Sequence, residues 1–175
     1  LFDRQPTHPV TQALLPFIDG PFGITRERLL AILEGMEMDL RQNRYLDFAA
    51  LKRYAHLVAG VVGEISAAVF GYSDPRTLEF AGRLGLALQL INVIRDVGDD
   101  ARRGRVYLPL DELQRFGVRA ADLLAGRYVD GFVPLMRFQA ERARASYRDA
   151  IALLPPADRR AQRPGLLMGA IYATL

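Results

Sequence analysis

Four polar residues share one register in a largely apolar stretch. Gln89, Asn92, Asp96 and Asp100 fall at spacings of three, four and four within Leu84–Asp100. In a helix these spacings put all four on one stripe. The rest of the stretch is apolar almost all round, as in a helix buried on most faces. A buried carboxylate without a partner is costly, so something has to compensate the stripe. One reading is a salt-bridge network with Arg95, Arg102, Arg103 and Arg105 as partners. The other is a polar cavity for divalent cations. Two aspartates one turn apart suit Mg2+, because substrate phosphates and water can complete the octahedron. Asn92 adds a neutral oxygen one turn earlier. On that reading the arginine cluster after Asp100 faces a diphosphate, with Arg95, Arg105 or both on its oxygens, and Asp99 is solvated.

A second segment, Tyr54–Phe70, carries small residues at helical spacing: Ala59, Gly60, Gly63, Ser66 and Ala67. They permit either close helix–helix packing or a groove for a long apolar ligand, with Tyr54 at its polar mouth. His56 reads as a surface or packing residue. Glu64 needs a partner, or else faces solvent at the groove's edge.

Composition removes other chemistries. The chain has 175 residues, half of them hydrophobic, which excludes a disordered tail. It has no cysteine, hence no disulfide, thiolate metal site or Cys nucleophile. His8 and His56 lie far apart, which disfavours a His-rich zinc site. The 23 basic residues, all arginine except Lys52, nearly balance 20 acidic ones. A net charge of +3 without basic runs gives no footprint for nucleic acid. No stretch of about 18 uncharged apolar residues is present to span a membrane, and no signal-peptide pattern opens the chain. The cytoplasm is the simplest expectation.

The elements that must position these residues are all helical. Thr25 suits an N-cap, with Leu29, Leu30, Leu33, Met36 and Leu40 following at helical spacing. Asp47 caps a helix expected to run to Phe70 and stop at Gly71. Asp74-Pro75 is a helix start, Asp at the N-cap and Pro at the first position. That helix is expected to reach Asp100. Short helices are expected at Thr11–Ile18, Leu110–Phe116 and Ala120–Ala125. A long one covers Asp130–Leu154, stopped by Pro155-Pro156, and a last begins at Gly165. The fold class is all-α, an antiparallel bundle with short loops and no interior linker.

The two polar segments together resemble the squalene/phytoene synthase family of head-to-head prenyl diphosphate synthases. Tyr54-Ala-His-Leu-Val-Ala-Gly-Val-Val-Gly63 is similar to the family's first signature. Leu84-Gly85, Gln89, Asn92, Arg95-Asp96, Asp100 and Arg105-Val-Tyr107-Leu-Pro109 are similar to its second, with Val93 where a bulkier apolar residue is usual. Gly35–Asp39 and Ile171-Tyr172 resemble further family segments, so the likeness covers essentially the whole chain. The resemblance implies an isoprenoid-synthase helical bundle. It implies Mg2+, or Mn2+ in its place, held by Asn92, Asp96 and Asp100. It implies prenyl diphosphate contacts from Asp39, Gln89, Arg95, Arg105 and Tyr172, with Tyr54, Asp96 and Asp100 at the reacting centre. Tyr107 and Pro109 either join the site or only shape the loop.

The wording of Arg103–Leu110 and of Phe116-Gly-Val resembles the bacterial hopanoid-pathway branch, which couples two farnesyl diphosphates to presqualene diphosphate. Phytoene synthesis from two geranylgeranyl diphosphates is the alternative. NADPH enters only with a later reductive step, and no Gly-x-Gly-x-x-Gly fingerprint is present. The lipophilic product implies peripheral membrane association at most. A reading from another class is a non-catalytic helical scaffold whose carboxylates are held by arginines. One departure from the family stands out. The family has two aspartate-rich motifs, and among 13 aspartates here only Asp96 and Asp100 form an Asp-x3-Asp pair. The expectation is a partial domain, incomplete at its N-terminus and inactive by itself.

Overall fold

The computed structural model describes residues 1–3, 5–20 and 22–174. Helices dominate; the described residues form no strand, only two isolated bridges, Ile18 with Ile24 and Arg44 with Val106. The longer helices are α1 (Pro9–Leu14), α2 (Arg26–Arg41), α3 (Phe48–Ala55), α4 (Val61–Phe70) and α5 (Arg76–Arg95). They continue with α6 (Val97–Arg102), α7 (Leu110–Arg115), α8 (Ala120–Leu124), α9 (Phe132–Leu153) and α10 (Arg163–Tyr172). A π-helical turn, His56–Gly60, joins α3 to α4 without a break in the rod.

Local signals account for most boundaries. Thr25 accepts from the Arg28 amide at 3.3 Å, and Asp47 from that of Ala50 at 2.8 Å, as N-caps do. Gly71 ends α4 at φ 90°, a conformation costly for any residue with a Cβ. The Asp74 carboxylate accepts from the Arg76 amide at 2.9 Å, so it serves α5 as expected although the helix starts one residue later.

One expectation fails. The helix from Asp74 does not reach Asp100 in one piece. Asp96 leaves helical geometry at φ −96°, ψ 7°, and α6 begins beyond it. The amide bonds Asp96 to Asn92 (2.9 Å) and Asp100 to Asp96 (2.8 Å) still form, so the break is a kink in a continuing ladder. The expected helix α2 forms, with its apolar residues turned away from the bundle. Leu30, Leu33, Met36 and Leu40 are 49–83% exposed, so the apolar stripe faces outward. The inward side is built around Gly35, where a Cβ would collide with Val58 and Leu57.

α5 is the centre of the bundle, packed along α9 on one side and along the π turn and α4 on the other. By length and hydropathy alone it qualifies as a membrane-crossing helix. Its buried Phe80, Leu84, Leu90 and Val93 instead join the two protein cores. The small-residue stripe serves close packing here: a Cβ on Gly63 would strike the Ala81 carbonyl, and one on Gly85 the Ala59 carbonyl.

The turn from α4 to α5 is held from outside by Asp158. This buried carboxylate accepts from the Ser73 amide (2.8 Å) and hydroxyl (2.6 Å), the Asp74 amide (3.0 Å) and the Thr77 hydroxyl (2.6 Å). The Ser73 and Thr77 hydroxyls hold its carboxyl well below the ordinary range. Its folded value therefore lies below its unfolded one, and the stability it contributes is present above pH 4 and lost as pH falls. Asp158→Ala is expected to cost roughly 2–4 kcal/mol in urea unfolding at neutral pH, because several donors lose their acceptor. The penalty should shrink in acid.

Candidate active site

Two pairings of the chain bring the polar groups together. After α6, Gly104 at φ 78° turns the chain back, with the Arg105 amide on the Asp100 carbonyl at 2.9 Å. The next residues run beside the α2–α3 connection: the Val106 amide donates to Asn43 O at 3.1 Å and the Leu110 amide to Tyr45 O at 2.9 Å. Tyr107 is thereby placed over Tyr45 and Tyr54, with ring centroids 5.3–5.7 Å apart in a three-membered stack.

At the rim of this stack sits Asp39, the last acid of α2. Its carboxylate accepts from the Tyr54 hydroxyl at 2.9 Å and from the Tyr107 hydroxyl at 2.7 Å. The Arg105 guanidinium lies 3.4 Å from Asp39 O and 3.5 Å from the Tyr107 hydroxyl. Burial, followed by the hydrogen bond to Asp39, pushes the Tyr107 phenol up to about 12. Burial pushes Tyr54 and Tyr45 up further still, so all three are neutral phenols at any physiological pH. The Tyr45 hydroxyl is buried without a hydrogen-bond partner.

Asp100 lies between this cluster and the end of α5. Burial first, then the charge of Asp96, raises its pKa, while Arg103 and Arg105 pull it down. Among the described residues its carboxylate has no ion pair. Asp96 differs: Arg95 grips it with two bonds of 2.6 and 2.7 Å, which holds its pKa low. Arg95 also rests over the Tyr172 ring at 5.8 Å. One turn back on α5, the Asn92 amide donates to Gln89 Oε1 at 3.3 Å, while Asn92 Oδ1 is buried with no partner. Among the described residues no three acidic, His or Cys side chains converge on one point.

Two cavities flank these groups. An apolar groove of about 290 Å³ runs between α4, α5 and α10. Ala59, Gly63 and Ala67 form one wall, and its polar end is made by Gln89, Asn92 and Tyr172. A polar cup of about 200 Å³ lies on the other side, with Asp39, Gln42, Asn43, Arg103 and Arg105 in its wall. The small residues of Tyr54–Phe70 thus serve both purposes open to them, backbone contact on one face and groove on another.

The structure joins Asp39, Tyr54 and Arg105 directly, Arg95 with Asp96 and Tyr172, and Gln89 with Asn92. Tyr54 departs from its expected position. It is 4% exposed and lines neither cavity, because its hydroxyl is drawn to Asp39 and its ring into the tyrosine stack. Asp99 is exposed and paired with Arg102. His56 is exposed, and Glu64 finds its partner in Arg28 at 3.0 Å. Sequence reasoning missed Tyr45 and placed Arg103 only as one of the arginines after Asp100. Tyr45 lies in an irregular connection where no periodicity operates. Arg103 sits in the basic run after Asp100 that drew attention to Arg105.

An all-α bundle whose central helix lines an apolar groove with amides at its polar end, and carries carboxylates just beyond, matches an isoprenoid-synthase fold. The comparisons agree. The model of the squalene/phytoene synthase family matches residues 2–175, and the chain belongs to that family. It is 41% identical over 172 residues to a phytoene synthase of Arthrospira platensis, covering 89% of this chain and 55% of that protein. It is 48% identical over 125 residues to the chloroplastic phytoene synthase 3 of Zea mays, covering 68% and 29%. The crystal structure of a squalene synthase from Alicyclobacillus acidocaldarius superposes with a TM-score of 0.82 at 25% identity, over 99% of this chain and 66% of that one. The chain spans about half the length, or less, of these curated relatives.

Proposed function

We propose that the chain carries a prenyl diphosphate site of a Mg2+-dependent head-to-head prenyltransferase. The observation that supports this most is the stripe on α5. It joins an apolar groove to amide and carboxylate oxygens that lack positive partners: Asn92 Oδ1 is buried and unpaired, and Asp100 has no ion pair among the described residues. Such oxygens fit a hard divalent cation. Asn92, Asp96 and Asp100 would hold Mg2+, which when bound neutralises the charge of a departing diphosphate. Asp96 must first release Arg95, and the freed guanidinium then serves as an anion contact.

The chain's own residues do the rest. Arg103 and Arg105 offer guanidinium forks to diphosphate oxygens from the polar cup. The groove keeps water from an allylic cation formed when the carbon–oxygen bond breaks, and so prevents its capture as an alcohol. The second prenyl diphosphate adds through its double bond, and loss of a proton closes a cyclopropane. Tyr54 is poorly placed to take that proton as a phenolate, since burial keeps it neutral and its hydroxyl already donates to Asp39. Its role in this account is to hold Asp39 and the tyrosine stack in place.

Two substrates remain in play. The hopanoid-type wording of Arg103–Leu110 favours two farnesyl diphosphates. The second reading, two geranylgeranyl diphosphates, draws on the relatives named phytoene synthase at 41% and 48% identity. With a single Asp-x3-Asp pair, these 175 residues are proposed to bind ligand without turning it over. Incubation with Mg2+ and either diphosphate should give binding and no diphosphate release. Equal affinity for farnesyl diphosphate and farnesol would overturn the substrate class; measurable release would overturn the proposed inactivity.

A further inference from the structure

We infer that Gln162 is the stop at the far end of the apolar groove and sets the length of chain it accepts. The inference rests on the reading of that groove as a prenyl site. Gln162 is 2% exposed and lines the groove at the end opposite Asn92 and Tyr172. Its Nε2 donates to Ala67 O at 3.1 Å and to Gly71 O at 2.8 Å, so both amide hydrogens are used at the C-terminal end of α4. The Gln162 amide in turn donates to Asp158 O at 3.0 Å. Asp158 itself anchors the start of α5 through Ser73, Asp74 and Thr77. A side chain pinned on both sides cannot swing out of the way of a ligand. Its neighbours Ala67, Phe70 and Phe80 also line the groove.

The register along α5 gives a length. Asn92 and Phe80 both line the groove and stand twelve residues apart, about 18 Å along the axis. An isoprene unit adds four carbon–carbon bonds, about 5 Å when extended. Three units from Asn92 reach about 15 Å and stop short of the end; four reach about 20 Å and meet the Gln162 carboxamide. The groove as built therefore seats a C15 chain freely and presses a C20 chain against Gln162.

The test uses calorimetric binding to the 175-residue chain with Mg2+, as wild type, Gln162→Ala, Gln162→Met and Ala67→Val. The probes are farnesyl and geranylgeranyl diphosphate and the two corresponding alcohols. Gln162→Ala opens the end and should raise the C20-over-C15 affinity ratio about fivefold, roughly the value of one further methylene taken out of water. Gln162→Met keeps the bulk but loses the hydrogen bonds that pin it, and should raise the ratio clearly less than Gln162→Ala does. Ala67→Val narrows the same end from the other wall and should lower it, which supplies a result even where Gln162→Ala does not fold. An unchanged ratio in the folded Gln162→Ala and Ala67→Val proteins, or equal shifts in Gln162→Ala and Gln162→Met, would overturn the assignment. If the alcohols show the shift but the diphosphates bind no better than the alcohols, the stop stands and the diphosphate reading falls.

Discussion

Glu112→Ala should destabilise the chain by roughly 3–5 kcal/mol, a large part of the stability of a domain this size. Glu112 is buried at the start of α7 and accepts from Gln139 Nε2 at 2.6 Å and from both terminal nitrogens of Arg142. The Arg142 guanidinium in turn lies over the Phe48 ring at 3.9 Å and the Phe138 ring at 4.7 Å. One carboxylate thus ties α7 to α9, and through Arg142 to α3. Removing it strands a cation between two aromatic rings and leaves a buried amide unpaired. The exposed pair Arg53–Glu34 is the control; the same truncation there should cost less than about 1 kcal/mol. Urea midpoints of the two variants measure the contrast. Similar small losses in both would show that Arg142 reaches solvent when released.

The second large effect concerns Asp100. Asp100→Asn should weaken Mg2+-dependent prenyl diphosphate binding about 100-fold or more, since even groups that only support a metal ligand cost up to about that much. The same variant should be as stable as wild type without ligand, or more so. Asp100 has a folded pKa above its unfolded one, so in the window between them the folded chain holds the extra proton. As pH rises through that window, ionisation of Asp100 erodes stability. An uncharged asparagine escapes this loss. Lower stability with undiminished binding would assign Asp100 to the fold and not to the site. A carboxylate kept at a cost to the apo chain is what a cation site requires.

Much of this was legible in the residues, and the failures are informative. Caps and breakers marked the helices because Thr25, Asp47, Asp74 and Gly71 act through bonds within a few residues. The α5 stripe was legible because polar groups at helical spacing in an apolar helix need an explanation wherever they sit. The kink at Asp96 was not, since it depends on one ψ angle and leaves the hydrogen-bond ladder running. Periodicity showed that α2 has an apolar face but carried no information on what covers it, and in this chain Leu33 and Leu40 face outward. Tyr54 drew attention as a member of a signature, yet its position follows from Asp39 on another helix. Tyr45 completes the stack from a connection whose course is set only by pairing with Val106–Asp111.

The central claim is that the α5 stripe binds a metal-bridged prenyl diphosphate. Thermal unfolding of the chain tests it most directly, with farnesyl diphosphate and Mg2+ each alone and then together. At a ligand concentration 100-fold above Kd, stabilisation of about 2.7 kcal/mol should raise the Tm by roughly 5–10 °C. That rise is expected only when both are present, and is expected to vanish in Asp100→Asn. No rise with both present, or the same rise without Mg2+, would contradict it and leave the stripe to the arginines of a scaffold.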